Sequence, residues 1–252
     1  MKFSIVTVCF NNLDEVIKTY ASLVTQDLLD YEWIVVDGSA CSEIKVWFEC
    51  DNKIENKKLI SEKDLGIYDG MNKGLIASRG DYVIFMNSGD IFYSDSILSK
   101  VACLSDSGRY DFIYGDALEK YGDREKLKKA YSHRLVSYGM FTHHQAMYYR
   151  RSILIDCNLQ YDLRYSLASD YDFTVRFLKN VRVVYKVSSI LCVFDCGGSS
   201  TMRSEESFRQ QIQIKKENFG YFNTAISSFI KSFITTLKVK APFLYEMIRY
   251  GK

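Results

Sequence analysis

Apolar runs that stop abruptly in polar residues set the pattern of the first ninety positions. Residues 2–8 (KFSIVTV) are β-branched and apolar and read as a buried strand. The same signature recurs at 32–38 (EWIVVDG), 57–62 (KKLISE) and 81–87 (DYVIFMN). Between these runs, helical spacing covers residues 13–24, 42–50 and 67–77. Asn11 or Asn12 is placed to cap the first helix, and Arg79-Gly80 ends the third. Strands alternating with helices predict an α/β fold, with a mostly parallel central sheet and helices on both faces. Ligands of such sheets bind at the carboxyl ends of the strands. Here those ends carry residues 7–12, Asp37-Gly38, residues 62–66 and residues 87–90, four polar clusters that point to one crevice.

The second half changes character. Residues 110–118 and 127–131 read as strands around a charged turn, and 145–149 as another short strand. A helix is expected over 169–178, a strand over 181–187 and a polar helix over 203–218. No internal repeat or low-complexity linker interrupts the chain, so residues 1–221 are expected to form one domain and 222–252 a tail. The tail carries Lys231, Lys238, Lys240, Arg249 and Lys252 against Glu246 alone. It also spaces Ile226, Phe229, Ile230, Phe233, Ile234 and Leu237 as a helix would. Two readings follow: a basic amphipathic helix lying on an anionic membrane surface, or a helix packed on the body with its lysines solvated.

Composition narrows the function classes. The 252 residues have a net charge of +2, which argues against a nucleic-acid partner. Seven scattered cysteines with no CxxC suggest reduced thiols rather than a zinc or thioredoxin-type site. No run of about 18 apolar residues predicts a membrane span, and the opening apolar stretch is too short for a signal-peptide core. The chain is therefore expected in the cytoplasm. No GxGxxG follows the first strand, and neither GxxxxGK[ST] nor GxSxG occurs, so dinucleotide, P-loop and α/β-hydrolase sites are not expected.

Five segments carry candidate chemistry. Asp37 in VVDGS can accept hydrogen bonds from a base or ribose, or simply make a turn. Residues 62–75 (EKDLGIYDGMNKGL) hold more polar groups than an ordinary strand-to-helix turn needs, although Asp69 and Lys73 also suit a surface pair four apart. In FMNSGD an apolar strand ends in Asn87 and Asp90, oxygen donors suited to a divalent cation that would carry a diphosphate. His143, His144 and Gln145 can donate to phosphate oxygens. Asp170 and Asp172 open a helix two positions apart, so only one of them enters the crevice. A carboxylate there can take a proton from a hydroxyl nucleophile.

Taken in order, SIVTVCFNN, VVDGS, EKDLGIYDGMNKGL, FMNSGD, HQA, YDLRYSLASDYDF and GGSS resemble the family 2 glycosyltransferases of bacterial polysaccharide synthesis, over residues 3 to about 201. The resemblance implies a GT-A nucleotide-diphosphosugar fold, to which the spacing of the tail adds amphipathic C-terminal helices. It implies inverting transfer of a sugar from a nucleotide-sugar, UDP-linked by preference, to a hydroxyl of a polyprenyl-diphosphate-linked saccharide, at the inner face of the cell membrane. By the same resemblance Thr7 and Asn11 line the nucleotide crevice, Asp37 contacts uracil or ribose, and Asp64 the base. Asn72 closes the pyrophosphate-side helix, and His144 touches the diphosphate or sugar. Asp90 ligates Mn²⁺ or Mg²⁺. Asn87 stands where the motif usually has its first Asp, supplying an amide oxygen without charge. Asp170 matches the general base, with Asp172 as its rival, and residues 197–200 match a loop near the acceptor. Two other readings are a sugar nucleotidyltransferase, whose glycine-rich, Arg- and Lys-bearing N-terminal loop is missing here, and a non-catalytic scaffold.

Overall fold

The computed structural model describes residues 1–50, 53–196 and 204–240. Its elements follow the chain as β1 (Phe3–Cys9), α1 (Leu13–Val24), β2 (Tyr31–Asp37), α2 (Glu43–Cys50), β3 (Lys57–Ser61), α3 (Ile67–Ala77), β4 (Tyr82–Phe85), β5 (Ile91–Phe92) and α4 (Ile97–Ser107). Then come β6 (Phe112–Tyr121), β7 (Arg124–Lys128), β8 (Met147–Arg150), α5 (Arg151–Asp156), α6 (Ser169–Leu178), β9 (Val184–Asp195) and α7 (Ser204–Lys240). Among the described residues these strands form one sheet in the order β3-β2-β1-β4-β8-β6-β9-β5, with β7 paired to β6.

The first four strands are parallel, as the alternating pattern predicts. β8 then runs antiparallel to both β4 and β6, and β6 runs parallel to β9. β4, β6 and β9 therefore point the same way, and their carboxyl ends share one edge of the sheet with those of β1–β3. That edge carries the site.

Both faces of the sheet are covered, and the period-2 alternation of the strands divides their side chains between two cores. Phe3, Ile5, Trp33, Val35 and Tyr148 pack under α1, α2 and α4. Val6, Val8, Ile34, Phe85 and Tyr149 pack on the other face with Met71 of α3 and Phe173 of α6. The glycines of GIYDGMNKG have a packing cause here. A side chain at Gly74 would lie 2.2 Å from Val6 Cγ1, and one at Gly70 2.6 Å from Val8 Cγ1. Their absence lets α3 lie directly on β1 and brings its first turn to the crevice.

Two features depart from the sequence expectations. β9 does not stop near 187 but continues to Asp195, paired with β6 across register shifts around Asp116. β5 and α4 occupy a stretch that carried no prediction. The polar helix ends close to the expected 218, at a backbone break at Gly220 (φ 81°, ψ 164°), and a second helical stretch carries the tail on to Lys240. Beyond that break Tyr221, Phe222 and Phe229 are 77%, 78% and 73% exposed, while Thr224 and Ser227 are buried. This is the reverse of the usual surface-helix pattern. Among the described residues no helix is long and apolar enough to cross a membrane. All seven cysteines are free thiols.

Candidate active site

Three of the expected nucleotide contacts meet at the ends of β1, β2 and β3. Asp37 closes β2, and its Oδ1 accepts the Ser39 N–H at 2.9 Å. Its Oδ2 is buried with no hydrogen-bond partner. An unsatisfied buried carboxylate oxygen is costly, so this atom marks a place where a ligand donor fits. Asp64 lies over Gly38, where any side chain would come within 2.3 Å of Asp64 Oδ2. Asp64 Oδ1 also accepts the Gly66 N–H at 3.0 Å, which shapes the turn into α3. Asn11 follows β1 at φ 52°, and its N–H donates to Ser39 Oγ at 2.7 Å.

Two expected contacts are elsewhere. Thr7 is fully buried, and its Oγ1 accepts the Trp33 Nε1–H at 2.9 Å. Strand alternation puts it on the face of Phe3 and Ile5, away from α3 and the crevice. Asn72 is also buried and spends both ends of its amide on one backbone unit. Its Nδ2 donates to the Tyr161 carbonyl at 3.0 Å, and its Oδ1 accepts the Tyr161 N–H at 2.7 Å. Asn72 therefore ties α3 to the segment before α6. Asn72→Ala leaves two buried backbone groups without partners, and it should lower unfolding free energy by about 2–4 kcal/mol. Urea denaturation reads that loss. UDP affinity of the folded protein should stay unchanged, whereas a true donor contact would lose it.

The remaining candidates line a crevice of ≈ 720 Å³ at the carboxyl ends of β4, β6 and β9. Asp170, in the first turn of α6, accepts the Tyr68 hydroxyl at 3.2 Å, and its Oδ2 lies 3.7 Å from His144 Nδ1. His144 Nε2 lies 3.2 Å from Asn87 Nδ2. With the Asn87 amide donating, the His144 proton sits on Nδ1, facing Asp170. Asn87, His144, Asp170 and Tyr68 thus form one continuous chain. Burial alone would raise the Asp170 carboxyl, but the neighbouring His144 imidazole, with the Tyr171 N–H and the Tyr68 hydroxyl, holds it below the usual carboxylate range. Asp172 turns away, as two positions on a helix require. It is buried against Arg176 Nε at 2.6 Å and Asn218 Nδ2 at 3.4 Å.

Asp90 is buried beneath this chain. Its Oδ2 accepts from Gln145 Nε2 at 2.6 Å and its Oδ1 from the Asp195 N–H at 3.2 Å. Burial pushes its carboxyl up to about 7 against the opposing pull of Gln145 and His144. Residues 197–200 lie outside the described residues.

The family model described as "Glycosyl transferase family 2" matches residues 4–165. The chain belongs to glycosyl transferase family 2. It is a glycosyltransferase of the GT-A fold, and family membership sets aside the nucleotidyltransferase reading. A PGL/p-HBAD biosynthesis glycosyltransferase of Mycobacterium bovis is 25% identical over 201 residues, covering 76% of each chain. S. aureus TarS 1–349 in complex with UDP-GlcNAc shares the fold at a TM-score of 0.72 and 18% identity, covering 96% of this chain and 76% of TarS 1–349. Matched to the same TarS fragment in complex with UDP, this chain spans 65% of its length. The mannosyltransferase PcManGT of Pyrobaculum calidifontis, in complex with GDP-Man and Mn²⁺, aligns at a TM-score of 0.63 and 12% identity, covering 96% of this chain and 81% of that one.

The charge of the crevice bears on the metal this glycosyltransferase is expected to use. Glu15, Asp90, Glu119, Asp170 and Asp195 line it, and no Lys or Arg is among the described lining residues. A diphosphate entering such a crevice needs a cation. Among the described residues no three His, Cys, Asp or Glu side chains form a preformed metal cage. Asn87 Oδ1, however, is buried without a hydrogen-bond partner, and each Asp90 oxygen accepts a single bond and keeps a second lone pair. One carboxylate, one amide oxygen and the donor's own phosphates suit Mg²⁺ or Mn²⁺, which commonly take one or two protein carboxylates plus substrate phosphates. The residues present fit the metal.

Tyr68 and Asp195 joined the site unannounced. Tyr68 stood inside the GIYDGMNKG segment, where its period with Met71 marks the crevice-facing side of α3. Asp195 carried no usable signal, because β9 was expected to end eight residues earlier.

Proposed function

We propose that this chain is an inverting glycosyltransferase that moves a sugar from a UDP-sugar to a hydroxyl of a lipid-linked saccharide in surface polysaccharide synthesis (O-antigen, capsule or exopolysaccharide). The observation that carries the reading is the Asp170 carboxylate, held ionised by Tyr68 and His144 in the same crevice as Asn87 and Asp90. Asp170 takes the proton of the acceptor hydroxyl. The freed oxygen attacks the anomeric carbon, and the bond from that carbon to the diphosphate oxygen breaks with its electron pair leaving on the diphosphate. Asp37 and Asp64 hold the nucleoside at the far end, which fixes the anomeric carbon in line; positioning of this kind contributes on the order of 7–11 kcal/mol. Asp90 and Asn87 would hold Mn²⁺ or Mg²⁺, whose charge offsets that of the departing diphosphate. The UDP preference is supported by the TarS complexes, and the lipid-linked acceptor by the C-terminal helix.

The test is release of nucleoside diphosphate from UDP-, GDP- and dTDP-sugars with Mn²⁺, with and without lipid-diphosphate-GlcNAc or -GalNAc. Acceptor-dependent release from one donor supports the reading. Release that ignores the acceptor, or no release from a folded protein, contradicts it.

The exposed Tyr221, Phe222 and Phe229, followed by the lysines of the tail, suit a helix resting at the boundary between headgroups and acyl chains. The chain then works as a peripheral protein on the inner face of the membrane, where a polyprenyl-linked acceptor is presented. Deleting residues 222–252 should release it from anionic vesicles in a flotation assay. Undiminished flotation of the truncated protein would refute the anchoring role.

A further inference from the structure

We propose that the ends of β6 and β9 form the subsite for the acceptor sugar, a neutral pyranose that stacks on Tyr121 and donates a hydroxyl hydrogen bond to Glu119. The inference rests on the transferase reading above and gives that reading its second substrate site.

The sheet order supplies the first argument. The nucleoside end lies over β1–β3, and Asn87 and Asp90 follow β4. β6 and β9 lie on the other side of β4, beyond β8, and their carboxyl ends open on the same edge. In an in-line displacement the nucleophile approaches opposite the leaving group. Asp90 meets the end of β9 through the Asp195 N–H, so the diphosphate sits against β4 and the tip of β9, and the wall carried by Glu119 and Tyr121 at the end of β6 is left for the acceptor. Glu119 and Phe194 are register partners across β6 and β9, so this wall belongs to the sheet and not to a mobile loop.

The chemistry of the wall supplies the second. Glu119, Tyr121, His143 and Phe194 all line the crevice. His143 Nε2 lies 3.0 Å from Glu119 Oε1, and the His143 ring stacks on Phe194 with centroids 4.3 Å apart and planes 19° apart. Lys128 Nζ stands 3.9 Å from the same oxygen, and Tyr121 donates its hydroxyl to Glu119 Oε2 at 3.2 Å. Burial would raise the Glu119 carboxyl, but the His143 hydrogen bond and the Lys128 charge bring it below the usual range. Glu119 is thus an anion with only acceptor capacity, and Oε2 keeps a lone pair for a further donor. A fixed carboxylate repels a diphosphate and accepts from a sugar hydroxyl. Tyr121 is 47% exposed and offers a flat apolar face beside that acceptor. A carboxylate next to an open aromatic ring fits a neutral, polyhydroxylated ring and not the charged part of the donor.

The test is saturation-transfer NMR on the full chain with UDP and Mn²⁺ filling the donor site, using the methyl glycosides of GlcNAc and GalNAc as probes. The wild-type protein should transfer saturation to the ring protons of at least one glycoside. Tyr121→Ala and Glu119→Gln should each weaken that signal at least fivefold while UDP affinity stays at the wild-type value, which also certifies the fold. Unchanged signal in both variants, a parallel fall in UDP affinity, or no signal from wild type with either glycoside would overturn the subsite. Failure of the transferase reading is a separate result, absence of nucleoside diphosphate release from every donor with acceptor present.

Discussion

Asp170→Asn should lower acceptor-dependent transfer by about 10²–10⁴-fold, the range supplied by a positioned general base, while UDP binds as it does to the wild-type protein. The geometry is the reason. Asp170 accepts from Tyr68 and faces His144, and neither carboxylate oxygen is committed to a structural ion pair of the kind that occupies Asp172. The amide keeps the shape and loses the proton acceptor. A fall in UDP affinity equal to the fall in rate would make Asp170 a binding group instead. The pH profile gives a finer reading. The Asp170 carboxyl is held below the usual range, so it stays deprotonated as pH falls toward its lowered pKa, and the rate persists with it. Tyr68→Phe removes one stabilising donor, the pKa rises, and the acid limb of kcat/KM should move to higher pH. An unmoved limb would show that the Tyr68 hydroxyl does not tune the base.

The second large effect concerns the metal. UDP affinity should fall at least 100-fold when EDTA replaces Mn²⁺, and Mg²⁺ should restore part of it. The described lining of the crevice carries no Lys or Arg, so no protein cation there offsets the charge of a diphosphate. A unit charge pair at about 4 Å is worth about 4 kcal/mol at an effective dielectric of about 20, roughly a thousandfold in affinity. Asp90→Asn should reproduce most of the loss. Calorimetry of UDP in Mn²⁺ and in EDTA decides the matter, and equal affinity in the two would make donor binding metal-independent.

The parallel half of the fold was legible because β1, β2 and β4 are short apolar runs closed by Asn, Asp or Gly. The placement of Asn87 and Asp90 at the crevice followed from the same edge rule, whereas Asp170 came from the start of a helix and the family resemblance. The misplacements have physical causes. Thr7 sits among polar-ended strand residues in the sequence, yet its odd position puts it with Phe3 and Ile5 against Trp33. Asn72 has the composition of a ligand contact, but its partner is the backbone of Tyr161, 89 positions away, which no local pattern reveals. β9 was cut short because Ser188 and Ser189 interrupt its apolar run just where its pairing with β6 shifts register. The wall built by Glu119 and Phe194 was hidden by the same shift, since a strand ending near 187 never reaches the crevice.

On the proposed mechanism, transfer is a single displacement driven by one base. The anomeric configuration of the transferred sugar tests it most directly. Product formed from an α-linked UDP-sugar should be the β-glycoside, read from the anomeric proton coupling in the NMR spectrum. An α-glycoside would contradict the account, because retention requires a second displacement or a front-face path that the Asp170 geometry does not provide.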